Sequence, residues 1–428
     1  MKLVVKGTSL YLPSQSRAIT PSHPSWRSLY SGEHFITPIS DEERDALLQK
    51  NQLIEHPSLK GKELSPLNLN QMYKIPSYIS ESCDEVGWYA IACGIEALID
   101  SGISIYSSHF KLKGLDPLLQ HSTGVICVGM FPSLLSITDK DSQQHKLYLQ
   151  RLIVRPNAHL SQLIKAKGPS VFIDTACSST MTAISMAEDW LRLGHCDRVV
   201  IIGSDNPTNE KIFPLICSGF HKLGVLTSKS NINEASCPFD SKRSGFIIGS
   251  SAFGMVIEKQ DHCTLGNVEL ISSIVGNSGF LTLSLDEEYM AMRLDSLIKR
   301  VCSTLKKTIE EVSHSLIYVA HETSTPRCAP SEIWALRHVF KSFISNIIIC
   351  GLKGFLGHSL STNYEEVFAV DILKRKQVPP TFNLDKADPL LGNDLTFSKG
   401  ETHSRLYILR FSAGFGSSIG YSFYQIHV

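Results

Sequence analysis

Residues 171–180, Val-Phe-Ile-Asp-Thr-Ala-Cys-Ser-Ser-Thr, run from an apolar strand into small hydroxyl residues. An apolar helical face follows and ends at Gly194; its members are Met181, Ile184, Ala187 and Leu191. Serine and threonine are favoured where helices begin, so this stretch predicts a strand-to-helix corner with Cys177 at the helix N-terminus. Free N–H groups and the helix dipole favour negative charge there, which predicts a lowered thiol pKa and a nucleophilic cysteine.

The alternation of strands and helices continues on both sides of this corner. Apolar runs predict strands at the N-terminus and at 124–128, 199–202, 252–257, 268–275, 316–320, 346–350, 406–411 and 419–426. Helical spacing predicts helices at 84–101, 286–306, after Ser331, and at 363–375. Residues 13–75 are polar and weakly periodic, which predicts loops and short helices over a core. The pattern indicates an α/β architecture in two similar halves, residues 1–265 and 266–428.

Composition limits the function classes open to the chain. Its 428 residues are 43% apolar and 19% charged, as in a well-cored globular protein, and 41 basic residues balance 41 acidic ones. That balance argues against a chain-wide nucleic-acid field, and no apolar run is long enough to predict a membrane span. Eleven cysteines are scattered singly without metal-binding spacing, so we expect no metal site and a cytoplasmic location.

Two histidines occupy matching positions in the second half. His321 follows the strand at 316–320, and His358 follows the apolar segment that ends near 350. Neutral imidazoles can donate N–H bonds to a developing oxyanion, as acyl-group chemistry requires. Lys353 either orders this cluster or is a surface lysine. Glycines in 411–417 allow close backbone approach and further N–H donors.

Five segments resemble, in the same order, the motifs of β-ketoacyl synthases, the condensing enzymes of fatty-acid and polyketide synthesis. They are Asp174–Ser179, Pro238–Phe246, His321–Thr325, Lys353–His358 and Gly414–Gly416. The resemblance implies a thiolase-like, five-layered αβαβα fold built from two similar halves.

The resemblance also implies roles for individual residues. Cys177 would accept an acyl group as a thioester, and His321 and His358 would bind the malonyl thioester, assist decarboxylation and stabilise the enolate. Lys353 would order the two histidines. The backbone N–H groups of Cys177 and Phe415 would form the oxyanion hole.

Phe415 would also gate the acyl pocket, and Thr323 and Thr325 would bind the phosphopantetheine arm. No metal or bound cofactor is implied, because an acyl carrier protein brings the substrates on its phosphopantetheine. The expected assembly is a homodimer, or a heterodimer with a related ketosynthase-like subunit. Because carrier proteins are acidic, a local basic patch is expected; the candidates are Lys60, Lys62, Lys74, Lys222 and Arg243.

The chain departs from the family motifs at several points. Glu322 replaces a glycine, which predicts a carboxylate or its solvated side chain beside the site. Residues 249–253 lack a family acid, 361–364 replace a Gly-Ala-Ala-Gly loop, and Ser417 replaces a glycine. Glu366 matches a family glutamate only with a shift of one residue. These departures favour a specialised polyketide or fatty-acid-like pathway.

Bulky residues follow the strand at 124–128, where the family has a loop near the acyl pocket. Met130 and Phe131 stand there, so a shortened or redirected tunnel is predicted, with packing in a dimer interface as the alternative.

Two other functions stay open. In one, Cys177 only transfers acyl groups to a non-malonyl acceptor, which the lost acid and Glu322 favour. In the other, the chain is a chain-length-determining partner subunit, against which the retained cysteine argues. A thiolase is disfavoured, because the histidine pair replaces that enzyme's second cysteine.

Overall fold

A computed structural model describes residues 1–30, 34–50, 56–107, 111–131, 133–138, 140–280 and 284–428. Its strands are β1 (Lys2–Tyr11), β2 (Ile36–Pro38), β3 (Leu59–Gly61), β4 (Thr123–Val128), β5 (Ser170–Ile173), β6 (Arg198–Asp205), β7 (Ser251–Gln260), β8 (Val268–Asn277), β9 (Leu316–Val319), β10 (Ile348–Cys350), β11 (Thr396–Phe397), β12 (Tyr407–Gly414) and β13 (Ser418–Ile426).

The helices are α1 (Asp41–Asp45), α2 (Leu69–Tyr73), α3 (Ser77–Glu81), α4 (Glu85–Asp100), α5 (Pro117–Gln120), α6 (Leu134–Thr138), α7 (Lys140–Gln143), α8 (Tyr148–Ile153), α9 (Pro156–Ile164), α10 (Ser179–Arg192), α11 (Phe213–Lys222), α12 (Ile232–Ala235), α13 (Glu287–Leu305), α14 (Ile309–His314), α15 (Cys328–Phe340), α16 (Lys353–Leu356) and α17 (Glu365–Arg375). No helix within these described ranges is both long and apolar enough to cross a membrane.

The two halves repeat one strand topology. In the described residues one mixed sheet runs in the order β11-β10-β9-β12-β13-β8-β1-β7-β6-β4-β5. If the strands of each half are numbered along the chain, β1, β4, β5, β6 and β7 lie in the order 3-2-4-5-1, and β8, β9, β10, β12 and β13 repeat that order. The halves join where β1 pairs with β8 at Val4 and Val5. The turn between β7 and β8 contains residue 265, the predicted seam.

Apolar packing builds five layers around this sheet. Helices α10 and α17 lie between the two halves of the sheet and share one core cluster with β1, β7, β9 and β12. Helix α4 covers the outer face of the first half with α9, and α13 and α15 cover the outer face of the second. The predicted α/β class and five-layered architecture are therefore confirmed.

Local sequence signals mark both ends of α4. The carboxylate of Asp84 caps α4 by accepting a hydrogen bond from the Gly87 backbone, and Gly102 follows its end with a φ of +84°. Helix α15 begins at Cys328, three residues before the predicted start. The stretch 13–75 contains the small β2–β3 sheet in addition to short helices, and its residues 31–33 and 51–55 lie outside the described part of the chain.

Candidate active site

The nucleophile corner connects β5 to α10 through a strained turn. Ala176 has a φ of +51°, a conformation that costs about 1–2 kcal/mol for a residue with a Cβ. Hydrogen bonds hold the turn: the Ala176 N–H donates to the Asp174 carboxylate at 3.0 Å, and the Ser178 N–H donates to the Thr175 carbonyl at 3.2 Å. Cys177 is thereby presented one residue before the helix cap, and it is buried.

Two backbone N–H groups face the Cys177 sulfur, one from Cys177 itself and one from Phe415. The β12–β13 turn reaches the corner because Gly414 has no side chain. A Cβ at position 414 would lie 2.6 Å from the Thr175 carbonyl oxygen and 3.0 Å from the Cys177 nitrogen. The structure therefore brings together the two donors that the sequence predicts for an oxyanion hole.

The electrostatic environment of the thiol differs from the prediction. Burial raises the pKa of Cys177 to about 12, although Lys353 and the two N–H groups act to lower it. The predicted lowering of this pKa is wrong, because desolvation of the thiolate outweighs the helix N-terminus. Cys177 is therefore a thiol at neutral pH, and its proton must leave during attack.

His321 and His358 lie side by side, and the charge of Lys353 acts on both rings and on Cys177. Their ring centroids are 5.4 Å apart at an interplanar angle of 86°, and Phe246 packs edge-on against His358 at 5.3 Å. Burial lowers the pKa of both imidazoles, and the nearby charges of Lys353 and Arg410 lower it further. Both rings are therefore neutral at pH 7, and a neutral imidazole still has one N–H to donate to a developing oxyanion.

A buried group of charges stands behind the histidines. Lys353 is 1% exposed and forms an ion pair with Glu365, so it is not a surface lysine. Arg410 lies 3.6 Å from Glu365 and 3.5 Å from Glu366. The match of Glu366 to the family glutamate is corrected here: Glu365 pairs with Lys353, and Glu366 instead accepts a hydrogen bond from Tyr424 at 3.0 Å.

The loop that replaces the family glycines holds the nucleophile from behind. The Asn363 side-chain amide donates to the Cys177 carbonyl at 3.1 Å, and the Ser412 hydroxyl donates to the same oxygen at 2.7 Å. Asn363 Oδ1 accepts from Arg410 at 3.3 Å, and it lies 2.6 Å from the Ser412 oxygen, so the single Ser412 proton is shared between this oxygen and the Cys177 carbonyl. Sequence reasoning missed these residues; the polar departure at 361–364 was the available signal.

Asp205, at the end of β6, is another residue that the sequence did not reveal. Its carboxylate accepts hydrogen bonds from the backbone N–H groups of Met130 and Ser361, both at 3.0 Å. Burial raises its pKa to about 6, and its charge raises the pKa of Cys177. Asp205 thus fixes the loop after β4 relative to the loop that carries His358.

Thr323 and Thr325 lie together on the loop after His321, with their hydroxyl oxygens 3.2 Å apart. Glu322, between His321 and Thr323, does not face the site. Its carboxyl group is 1% exposed, accepts a hydrogen bond from the Ser324 backbone at 3.0 Å and has its pKa raised to about 8 by burial and by Glu332. The prediction that Glu322 places a carboxylate or a solvated side chain beside the site is therefore wrong, because its carboxyl group is buried next to Glu332.

An apolar cluster adjoins the site on the side of Phe415. The rings of Phe415, Phe220, Phe246 and His358 follow one another at centroid distances of 5.9, 5.5 and 5.3 Å. Met130 and Phe131 are half-buried against the same cluster. The structure thus places both predicted pocket residues within the apolar cluster that reaches Phe415 and His358.

The predicted basic patch is only partly available on the surface. Lys60 is buried and paired with Glu43, and the Arg243 side chain is 6% exposed and lies 2.6 Å from Asp388. These two residues are wrong as docking residues, because each already neutralises a neighbouring carboxylate. The remaining candidates, Lys62, Lys74 and Lys222, are half-buried or exposed.

Family models and known proteins match this chain over most of its length. The family model for the β-ketoacyl synthase N-terminal domain matches residues 2–262, and the model for the C-terminal domain matches residues 285–385. The 3-oxoacyl-[acyl-carrier-protein] synthase 2 of Vibrio cholerae is 26% identical over 345 residues, which cover 78% of this chain and 80% of that protein. A Saccharomyces cerevisiae homologue of such synthases is 26% identical and covers 86% of each chain.

Solved structures share the fold. A β-ketoacyl synthase from Burkholderia phymatum superposes over 100% of both chains with a TM-score of 0.77 at 19% identity. A type II polyketide ketosynthase bound to its acyl-carrier protein covers 100% of this chain and 99% of its own, with a TM-score of 0.77 at 18% identity. With both family models matched in order around Cys177, His321 and His358, the chain belongs to the β-ketoacyl synthase family.

Proposed function

We propose that this chain catalyses decarboxylative Claisen condensation between an acyl group on Cys177 and a malonyl group on an acyl carrier protein. One observation carries the proposal: a buried cysteine with two backbone N–H donors and two neutral, buried imidazoles all lie within reach of the Lys353 charge. The first set of donors suits acyl transfer, and the second suits the enolate that forms when carbon dioxide leaves.

The reaction proceeds in two stages. The Cys177 sulfur attacks the acyl thioester, the N–H groups of Cys177 and Phe415 stabilise the tetrahedral oxyanion, and the carrier's thiol leaves with the cysteine proton. His321 and His358 then donate to the malonyl thioester oxygen, so the carbon–carbon bond to carbon dioxide breaks and an enolate forms. The enolate carbon attacks the acyl-Cys177 carbonyl, and the thiolate is released. Thr323 and Thr325 bind the phosphopantetheine arm.

The alternative in which Cys177 only transfers an acyl group loses part of its basis. That alternative was favoured by Glu322, whose carboxyl group points away from the histidines and is buried beside Glu332. A chain-length-determining role needs no nucleophile, whereas Cys177 and both donors are in place. We assign the enzyme to a specialised polyketide or fatty-acid-like pathway because a polar loop replaces the family's glycine-rich loop at 361–364.

Carrier-protein docking and dimerisation belong to the same proposal. Lys62, Lys74 and Lys222 supply positive charge for an acidic carrier, and one solved neighbour is bound to an acyl-carrier protein. Strand β5 ends the sheet and has β4 as its only partner among the described strands. An open edge of this kind pairs readily with a second chain, which supports a dimer.

Intact-protein mass spectrometry tests the proposal. Wild-type protein mixed with a carrier protein that bears an acyl group should gain one acyl group. Adding carrier protein that bears a malonyl group should then release carbon dioxide and give a β-keto product. Cys177→Ala should gain no acyl group, while His321→Ala and His358→Ala should be acylated yet lose about 10²–10³ in decarboxylation rate. Acylation without carbon dioxide release in wild type would refute condensation and support simple acyl transfer.

A further inference from the structure

Three side chains of metal-ligand type meet at the seam between the two halves. Cys263, Glu269 and His427, named here the seam cluster, have one ligand atom each within 4.8 Å of the others. The Cys263 sulfur lies 3.8 Å from Glu269 Oε2, and His427 Nε2 lies 2.8 Å from the same oxygen. Nothing in the proposed condensation uses these residues.

The seam cluster is carried on ordered backbone. Glu269 is on β8 and pairs in register with Val4 of β1 and with Gln425 of β13. His427 follows β13 directly and exchanges backbone hydrogen bonds with the turn between β7 and β8. Its N–H donates to the Asn267 carbonyl at 2.9 Å, and its carbonyl accepts from the Gly266 N–H at 2.8 Å. The ligand atoms are therefore positioned before any ion binds, which lowers the entropic cost of binding.

A cation already stands beside the one carboxylate of the seam cluster, and its side chain is exposed enough to move into solvent. Glu269 is buried, and Lys2 places its ammonium 3.2 Å from the carboxylate. Cys263 and His427 are half-buried, so solvent and ions can reach them.

We propose that the seam cluster binds one divalent transition-metal cation, of which Zn²⁺ fits best, through Cys263 Sγ, a Glu269 carboxylate oxygen and His427 Nε2. Thiolate, imidazole and carboxylate together suit zinc, and a water completes the four-coordinate shell. As the metal–sulfur bond forms, the S–H bond breaks and its proton goes to solvent. The Lys2 ammonium moves off Glu269 into solvent.

The bound ion links three segments: the turn after β7, strand β8 and the end of β13. It therefore joins the first half to the second at the point where β1 and β8 meet. The condensing site is remote, because β8 runs from Glu269 to Asn277, whose side chain donates to the Gly416 carbonyl beside Phe415. Along β8, Glu269 in the seam cluster and Asn277 near the condensing site are eight residues apart, which is about 27 Å of extended strand. The inference does not rest on the proposed function.

Cobalt titration of the metal-free full chain, kept reduced, tests the site. Wild type should bind one Co²⁺ with a near-ultraviolet thiolate-to-cobalt absorption band, release one proton, and exchange the cobalt for Zn²⁺. Cys263→Ser should lose the band, and both it and His427→Gln should weaken binding by more than about tenfold. Cys302→Ser, which alters another half-buried cysteine, should leave binding unchanged.

Lys2→Gln gives the opposite, gain-of-binding result. Because the Lys2 ammonium of wild type competes with the metal for Glu269, the variant should bind Co²⁺ more tightly than wild type does. Its circular dichroism spectrum should match that of wild type. Absence of the band in wild type, or equal binding by the Cys263→Ser and Cys302→Ser variants, would overturn the site. Unchanged affinity in Lys2→Gln would overturn Glu269 as a ligand.

Discussion

Replacing Gly414 by alanine tests whether the two backbone donors at Cys177 drive acyl transfer. The new methyl group would lie 2.6 Å from the Thr175 carbonyl oxygen, whereas ordinary contact begins at 3.4 Å, so the β12–β13 turn must withdraw by about 0.8 Å, the difference. The Ser178 nitrogen, 2.9 Å from the same methyl position, prevents a sideways escape. The Phe415 N–H, one residue on, moves away with the turn.

The displacement sets the size of the effect. A misplacement near 1 Å costs about 10²-fold in rate, and loss of one oxyanion donor costs about 10²–10³-fold. We therefore expect Gly414→Ala to slow acylation of Cys177 by about 10²-fold or more. Overpacking of this kind also destabilises the fold by roughly 1–3 kcal/mol.

The assay is a time course of acyl-Cys177 formation by intact mass spectrometry, with urea unfolding run in parallel. Gly219→Ala on α11 is the matched control, because a Cβ there meets nothing within 4 Å. In this variant Cys177 should be acylated at the wild-type rate, and the fold should gain about 0.5–1 kcal/mol of stability. A folded Gly414→Ala protein that acylates at the wild-type rate would refute the role of the Phe415 N–H.

Three further predictions concern other parts of the site. Glu365→Gln should cut decarboxylation at least about tenfold, because it breaks the buried ion pair that holds Lys353 beside the histidines. Glu366→Gln keeps that pair and loses only its charge opposite Arg410, so it should cut the rate less; equal losses of carbon dioxide release would contradict the Lys353 assignment. Phe131→Ala should extend the range of acyl chains that acylate Cys177, and an unchanged chain-length profile would place Phe131 outside the pocket. Burial raises the pKa of Glu322 from 4.5 to about 8, so the folded chain binds more protons than the unfolded chain between those values and stability should fall as pH rises through that window. Urea midpoints of Glu322→Gln should fall less than those of wild type, because Asp84, Asp205 and Glu366, whose pKa values burial raises to about 7, 6 and 7, still titrate there. Parallel profiles would refute the assignment.

Sequence reasoning located the parts of the site that lie in short contiguous motifs. Cys177 follows a strand and precedes a helix, and both histidines follow apolar runs, so local patterning alone predicts where each stands. The supporting contacts could not be predicted in this way. Asn363 and Ser412 reach the Cys177 carbonyl across 186 and 235 residues of chain, and only the folded arrangement of β12 and α17 brings them together.

Burial accounts for the predictions that were wrong. The helix N-terminus at Cys177 is a local feature, but the desolvation that raises the thiol pKa depends on every layer packed around it. Lys60 and Arg243 are polar in sequence and buried in structure, because Glu43 and Asp388 pair with them. Glu365 and Glu366 differ by one position, about 100° around the helix, so a motif offset could not decide which one meets Lys353.

Strand β1 is synthesised long before the strands with which it pairs. Lys2 to Tyr11 take their ladder partners from residues 252–260 and 268–269, so the first strand leaves the ribosome about 250 residues before its neighbours. At about 5–20 residues per second, the nascent strand waits roughly 12–50 s with Leu3, Val5 and Leu10 uncovered. Contacts of such long sequence separation also slow folding itself. Yield in recombinant expression should therefore respond to chaperone supply and temperature more than to codon choice near the start.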